Sequence, residues 1–245
     1  MCRLIALALL LITSSSLAEE ASQKLTPVSI KLHWQHQFQF AGIYAAKEQG
    51  YYQDAGLAVT ILTGQKAPFN DVEAGNVEFG ISGAGLVVER LKGRPFVALA
   101  AIFQSSPYTW LVRADSSITQ PTDFVGKTVT RQSYADDLSA MLLRFGIDPS
   151  QLNIVDPSPE DIDNLIDGKV DALTAYISNE PFQMLSRGVD YRTLSPHEYN
   201  INFYSDIIFT SERYLKRQPG DVEAFHSATL RGWQYALEHP YEMVD

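Results

Sequence analysis

The sequence predicts an α/β protein built as two lobes that face one another across a cleft. Three observations carry that prediction. Short apolar strands alternate with helical segments from Val28 onward, as in βα units around a mostly parallel sheet. The pattern starts afresh near residue 109. A helix–Gly–strand unit then recurs in the second half, which implies that the two lobes share an architecture.

The 245 residues suit one two-lobed domain or two small ones, and a hydrophobic content of 45% supplies packed cores. Ahead of the first strand, Arg3 and the apolar run Leu4 to Ile12 lead to Ser16-Leu17-Ala18, a small-x-small cleavage site. Residues 1–18 therefore read as an export signal, too short to span a bilayer comfortably. Cys2, the single cysteine, falls inside it, so the exported chain needs no disulfide. A periplasmic location is the expectation. The formal charge of −10, from 19 Lys+Arg against 29 Asp+Glu, leaves no basic stripe for phosphates and argues against a nucleic-acid partner.

Val28 to Leu32 alternates apolar and polar side chains and predicts the first strand. His33 to Phe40 is a loop, followed by a helix from about Ala41 to Gly50, a turn at Tyr51 to Gly56 and a strand at Leu57 to Leu62. A helix ended by Gly75, a strand Val77 to Ile81, a helix Leu86 to Lys92 and a strand Phe96 to Ile102 complete the first set. In the second set, strands fall at Tyr108 to Val112, near Val129 and at Leu152 to Val155. Helices are expected at Ser139 to Phe145 and Asp161 to Ile166. The recurrent unit is Ala74-Gly75-Asn76-Val77-Glu78-Phe79-Gly80, echoed by Asp167-Gly168-Lys169-Val170-Asp171-Ala172-Leu173. A second echo pairs Gly93 to Val97 with Gly188 to Arg192. These marks divide the chain into one lobe of residues 26–108 plus 204–245 and another of residues 109–203.

Ligands of such sheets bind beyond the carboxyl ends of the strands. That rule selects the loop carrying Trp34 and Gln39, then Gln65, Ser82 with Gly83, Ser105, Tyr134, and the segment Tyr176 to Glu180. Asp206 joins them near the return crossing. Gly80-Ile81-Ser82-Gly83-Ala84-Gly85 is no nucleophile elbow, because Ala84 stands where Gly is required, and it lacks Walker and dinucleotide spacing. Its free amides and the Ser82 hydroxyl suit an anionic or carbonyl group, or the glycines simply relieve a tight turn. His33 and His36 lie at a strand end where their rings do not converge, so no metal site is expected. Glu160, Asp161 and Asp163 suit a solvated helix start. No nucleophile, base and orienter can be assembled, which argues against an enzyme, and no cofactor is called for.

What remains is aromatic surface with amides and acids: Trp34 to Phe40, Tyr176 to Pro181 and Tyr204 to Asp206. Core packing competes for any one of these rings. Together they describe a binding site for a small, planar, nitrogen-bearing molecule.

The run Leu32-His33-Trp34-Gln35-His36-Gln37-Phe38-Gln39-Phe40-Ala41-Gly42, continuing to Tyr52 and followed by Ala55-Gly56-Leu57, resembles the opening of one solute-binding family. It is the family of alkanesulfonate and thiamine-pyrimidine-precursor binding proteins, with fungal pyrimidine synthases of the same fold. Gly75 to Gly80 and Asn179-Glu180-Pro181 resemble its landmarks, and the similarity runs from about Val28 to His239. The resemblance implies a type II periplasmic binding fold, two α/β lobes joined by two crossings. It also implies ligand contacts at Trp34 and, in the pyrimidine branch, at Gln39, Tyr176, Asn179 and Glu180. Two departures stand out. The synthases carry a cofactor-binding Lys and a donor His where this chain has Ser82 and Leu86, and Ser82 has no amine for a Schiff base. Relatives also continue beyond a segment like Arg231 to Pro240, so a helical part of the first lobe is expected to be lacking.

The expected function is capture of a small nitrogenous ligand, such as a thiamine pyrimidine precursor, for the membrane subunits of an ABC importer. The alternative is the periplasmic sensing domain of a histidine kinase or diguanylate cyclase, with a membrane signalling module as partner.

Overall fold

The computed structural model describes residues 24–64, 66–132 and 135–244. Residues 1–18, expected to be an export signal, lie outside the described residues, as do Gln65 and Tyr134. The chain opens with β1 (Thr26–Lys31), a 3-10 turn at Phe38–Phe40, α1 (Ala41–Glu48), α2 (Tyr51–Asp54), β2 (Leu57–Leu62), α3 (Phe69–Ala74), β3 (Phe79–Ser82), α4 (Gly85–Leu91) and β4 (Phe96–Phe103). It continues with β5 (Tyr108–Arg113), β6 (Thr128–Thr130), α5 (Asp136–Arg144), β7 (Asn153–Val155), α6 (Asp161–Ile166), β8 (Ala172–Tyr176), α7 (Glu180–Ser186) and β9 (Tyr191–Leu194). It closes with β10 (Ser205–Ser211), α8 (Glu212–Arg217) and α9 (Pro219–Glu238).

The strands form two five-stranded sheets, in the orders β2-β1-β3-β10-β4 and β7-β6-β8-β5-β9. Each sheet begins with three parallel strands. A reversed strand follows, antiparallel to both of its neighbours: β10 in the first sheet and β5 in the second. The sheets are thus mixed rather than nearly all parallel. The cause is connectivity, since each reversed strand is the first one made after the chain crosses from the other sheet.

Both faces of each sheet are covered. In β5, Trp110 and Val112 enter one core while Leu111 enters the opposite one, and in β10 Ile208 and Phe209 divide in the same way. Side chains that alternate between two apolar cores require helices on both sides. Aromatic stacking anchors the first core, with Phe225 of α9 lying 3.8 Å from Phe79 and 5.3 Å from Tyr52.

The internal echoes occupy equivalent places. Gly75 and Gly168 end α3 and α6 with positive φ of 81° and 72°, a conformation that favours glycine. The echoed acids do the same work: Glu78 Oε2 accepts the Ser29 amide of β1 at 2.7 Å, and Asp171 Oδ2 accepts the Thr128 amide of β6 at 2.8 Å. The second echo falls at the starts of β4 and β9, which hold matching edge positions.

Some local readings shift. Within the turn expected at Tyr51 to Gly56, Tyr51–Asp54 forms one turn of helix, bracketed by Gly50 and Gly56 at positive φ. The helix expected at Ser139 begins at Asp136, with two acids in its first turn. The strand expected at Val77 begins at Phe79. At the far end, α9 lies close against α1: a Cβ on Gly42 would fall 2.2 Å from the Trp233 ring, and one on Gly232 would fall 2.1 Å from the Gly42 carbonyl. Among the described residues no helix is long and apolar enough to cross a membrane.

Candidate functional site

The cleft is built where the carboxyl ends of β1 and β8 meet the start of β10. Leaving β1, the Leu32 amide still donates to the Leu62 carbonyl, and the next residue, His33, turns inward. His33 is 2% exposed and meets Phe40 edge to face at 5.6 Å. Its Nε2 donates to Asp206 Oδ1 at 3.0 Å. The Tyr176 hydroxyl, from the other sheet, donates to the same oxygen at 2.7 Å. Gln39 Nε2 reaches Asp206 Oδ2 at 3.5 Å. Asp206 itself is 1% exposed and adopts φ +46°, an uncommon conformation for a residue other than glycine. One buried carboxylate therefore ties both lobes together beneath the cleft.

Above it lies an open pocket shared by both lobes. The first lobe contributes His33, Trp34, Gln37 and Gln39; the second contributes Tyr108, Gln132, Tyr176, Asn179 and Glu180. Tyr108 and Tyr176 pack edge to face at 4.8 Å, fixing one aromatic wall. Glu180 opens α7, with Pro181 behind it at a position where a missing amide costs nothing. Its Oε2 accepts the Tyr176 amide at 2.6 Å and its Oε1 accepts Asn179 Nδ2 at 2.8 Å. Burial pushes the Glu180 carboxyl above its ordinary pKa, against the opposing pull of those amides. Asn179 is held in turn by Gln183, whose amide donates to its Oδ1 at 3.2 Å.

The structure brings Trp34, Gln39, Tyr176, Asn179 and Glu180 together on the cleft wall. Asp206 lies under that wall rather than on it, its oxygens taken by His33, Tyr176 and Gln39. Ser82 is also set back: it pairs with Ile207 inside the first sheet, is 1% exposed, and its hydroxyl donates to the Gly83 carbonyl at 3.1 Å. Gly83 lines a second, smaller pocket that adjoins the cleft at Tyr108. Ser105 is exposed and lines neither.

Sequence reasoning includes His33 and Gln37 only within the loop His33 to Phe40 and passes over Tyr108 and Gln132. Tyr108 reads in sequence only as the start of a strand. Gln132 follows the end of β6 by two residues, so the strand-end rule already pointed to it.

Comparison with known proteins places this geometry in a family. Residues 37–243 match the family described as NMT1/THI5 like. A formylaminopyrimidine-binding protein of Halalkalibacterium halodurans is 26% identical over 231 residues, covering 91% of this chain and 70% of the relative. The riboflavin-binding protein RibY of Chloroflexus aurantiacus is 25% identical over 242 residues, covering 93% and 67%. Among solved structures, the periplasmic aliphatic sulphonate binding protein SsuA of Escherichia coli superposes with a TM-score of 0.70 at 14% identity, covering 89% of this chain and 76% of that one. At that identity the likeness shows the fold alone, and the fold is that of periplasmic binding proteins. The relatives are named for what they bind, and their number includes small nitrogenous ring compounds. The paired mixed sheets, the two crossings and the match over residues 37–243 place this chain in the NMT1/THI5-like family of the periplasmic binding protein fold.

Proposed function

We propose that the protein is an extracytoplasmic substrate-binding protein that captures an aminopyrimidine and presents it to the membrane subunits of an ABC importer. The observation that carries this reading is Glu180, a half-buried carboxylate set between Trp34, Tyr176 and Asn179 in a cleft shared by two lobes. Ring amines donate to such an acceptor, and the aromatic faces sandwich the ring. The described lining carries one acid and no Lys or Arg, which suits an amine donor and disfavours a sulfonate. The pyrimidine-binding relative agrees with this chemistry. A sensory role would use the same cleft, and the relatives lend it no support.

The test is thermal unfolding and calorimetric titration of the exported chain against aminopyrimidines and short alkanesulfonates. A pyrimidine at about 100 times its Kd should add roughly 2.7 kcal/mol, a rise of about 5–10 °C. Glu180→Gln should weaken it by about tenfold or more. Binding of a sulfonate in preference to every pyrimidine would overturn the reading.

A further inference from the structure

Asn179 stands at the N-cap of α7, where an asparagine side chain ordinarily accepts a helix amide. Among the described residues Asn179 makes no such bond. Its side chain instead joins a chain of hydrogen bonds that leads out of the cleft. Gln183, one helical turn further on and half-buried, donates from Nε2 to Asn179 Oδ1 at 3.2 Å. Asn179 Nδ2 donates to Glu180 Oε1 at 2.8 Å. Glu180 Oε2 accepts the Tyr176 amide at 2.6 Å. Asn179 and Glu180 line the cleft, and Gln183 does not. A cap bond forgone for a side-chain network is a local rule broken beside a ligand cleft, the place where function rather than helix stability sets the choice.

Resting on the function proposed above, we infer that Gln183 is a positioning residue that holds the Asn179 amide and so keeps Glu180 a hydrogen-bond acceptor toward the ligand. A primary amide donates from one end and accepts at the other, whereas an ionised carboxylate only accepts. With Gln183 Nε2 on Asn179 Oδ1, the Asn179 amino group faces Glu180. Turned over, the amide would set its oxygen against Glu180 Oε1, and only a proton on the carboxyl would restore a bond there. Burial and, more weakly, the nearby Asp161 favour that proton, and the Tyr176 and Asn179 donors oppose it. A protonated Glu180 would donate to a ring carbonyl instead of accepting from a ring amine. Gln183 thus biases ligand choice from outside the cleft, toward amine over carbonyl.

The experiment titrates the exported chain at neutral pH with an aminopyrimidine and with the matching pyrimidinone, whose ring carbonyl accepts where the amine donates. The wild type should bind the amine more tightly. Gln183→Met, similar in length and uncharged, should lower that preference about fivefold, the value of one neutral hydrogen bond. Gln183→Glu, which when ionised only accepts, should lower it about tenfold or more. In an Asn179→Ala background Gln183→Met should not move the preference, because Gln183 acts through Asn179. Should that background fail to fold, Gln183→Lys takes its place; it keeps a donor and should retain most of the preference. A preference unmoved by Gln183→Met and Gln183→Glu overturns the assignment and leaves the pyrimidine cleft standing. So does one that Gln183→Met moves as far without Asn179 as with it, or one that Gln183→Lys abolishes. Equal affinity of the wild type for the two compounds has the same consequence. Failure of the wild type to bind either compound overturns both this inference and the proposed function.

Discussion

Replacing Asp137 by Asn should stabilise the ligand-free protein by an amount that grows with pH. Burial raises the Asp137 carboxyl from 3.8 to about 6, with Asp136 adding a smaller push and a Ser106 hydrogen bond opposing it. The folded state thus holds this proton more tightly than the unfolded chain does. Below about pH 4 both states are protonated and the site costs nothing. Between about pH 4 and pH 6 the unfolded chain has ionised and the folded one has not, so stability falls as pH rises. Above about pH 6 the full penalty stands, a shift of about two units or roughly 3 kcal/mol. For a chain of this length that is about 6–12 °C in Tm. Asn carries no charge at any pH and removes the penalty. Urea melts of wild type and Asp137→Asn at pH 4 and pH 8 measure it, and the distant carboxyls Glu180 and Asp161 are common to both proteins and cancel. A stability difference that is the same at both pH values would refute the argument.

Four further outcomes follow from single contacts. Trp34→Ala should lower aminopyrimidine affinity by about 10- to 100-fold in calorimetry, with the melting temperature little changed, because a half-buried ring is removed from the cleft wall. Tyr176→Phe leaves Asp206 without its donor from the second lobe, a loss of about 1–2 kcal/mol, and should increase the radius of gyration of the ligand-free protein in small-angle scattering. Gly42→Ala drives a methyl into the Trp233 ring and should destabilise the fold by about 1–3 kcal/mol in urea melts. Gly85→Ala pushes Asp136 away from the first lobe and should weaken ligand binding more than it lowers the melting temperature.

Local pattern located the elements well where each carried its own punctuation. Leu57–Leu62 and Asp161–Ile166 form with the bounds their sequences suggest, one set off by Gly56 and the other by Pro159 and Gly168. Strand direction carries no such mark. Nothing within Tyr108–Arg113 or Ser205–Ser211 says that it runs against its neighbours, because direction is fixed by which sheet the chain enters after a crossing. The site divides in the same way. Trp34 and Glu180 were legible because strand ends point at the cleft. Ser82 and Ser105 meet the same rule and still miss it, since side chains alternate between faces and the rule gives a position along a strand without the face. Asp206 is a further case: its place beside the cleft follows from the chain order, whereas its engagement by His33 and Tyr176 depends on two residues more than 25 positions away in sequence.

The two lobes repeat a scaffold and differ at its tips. Glu78 and Asp171 perform one task in both, each accepting an amide from the neighbouring parallel strand, so the frames coincide. By the same offset, Gly83 of the first lobe stands where Tyr176 stands in the second. The small residues Gly83, Ala84 and Gly85 leave a recess that admits Asp136 from across the cleft. Tyr176 does the reverse, reaching out of its own lobe to Asp206. Each contact pairs a projecting side chain of the second lobe with a receiving surface of the first. Two equal tips would give a symmetric cleft with no preferred ligand orientation. A tyrosine facing a glycine gives the cleft an aromatic end at Tyr176 and an acidic recess beside Asp136, so its two ends are not interchangeable.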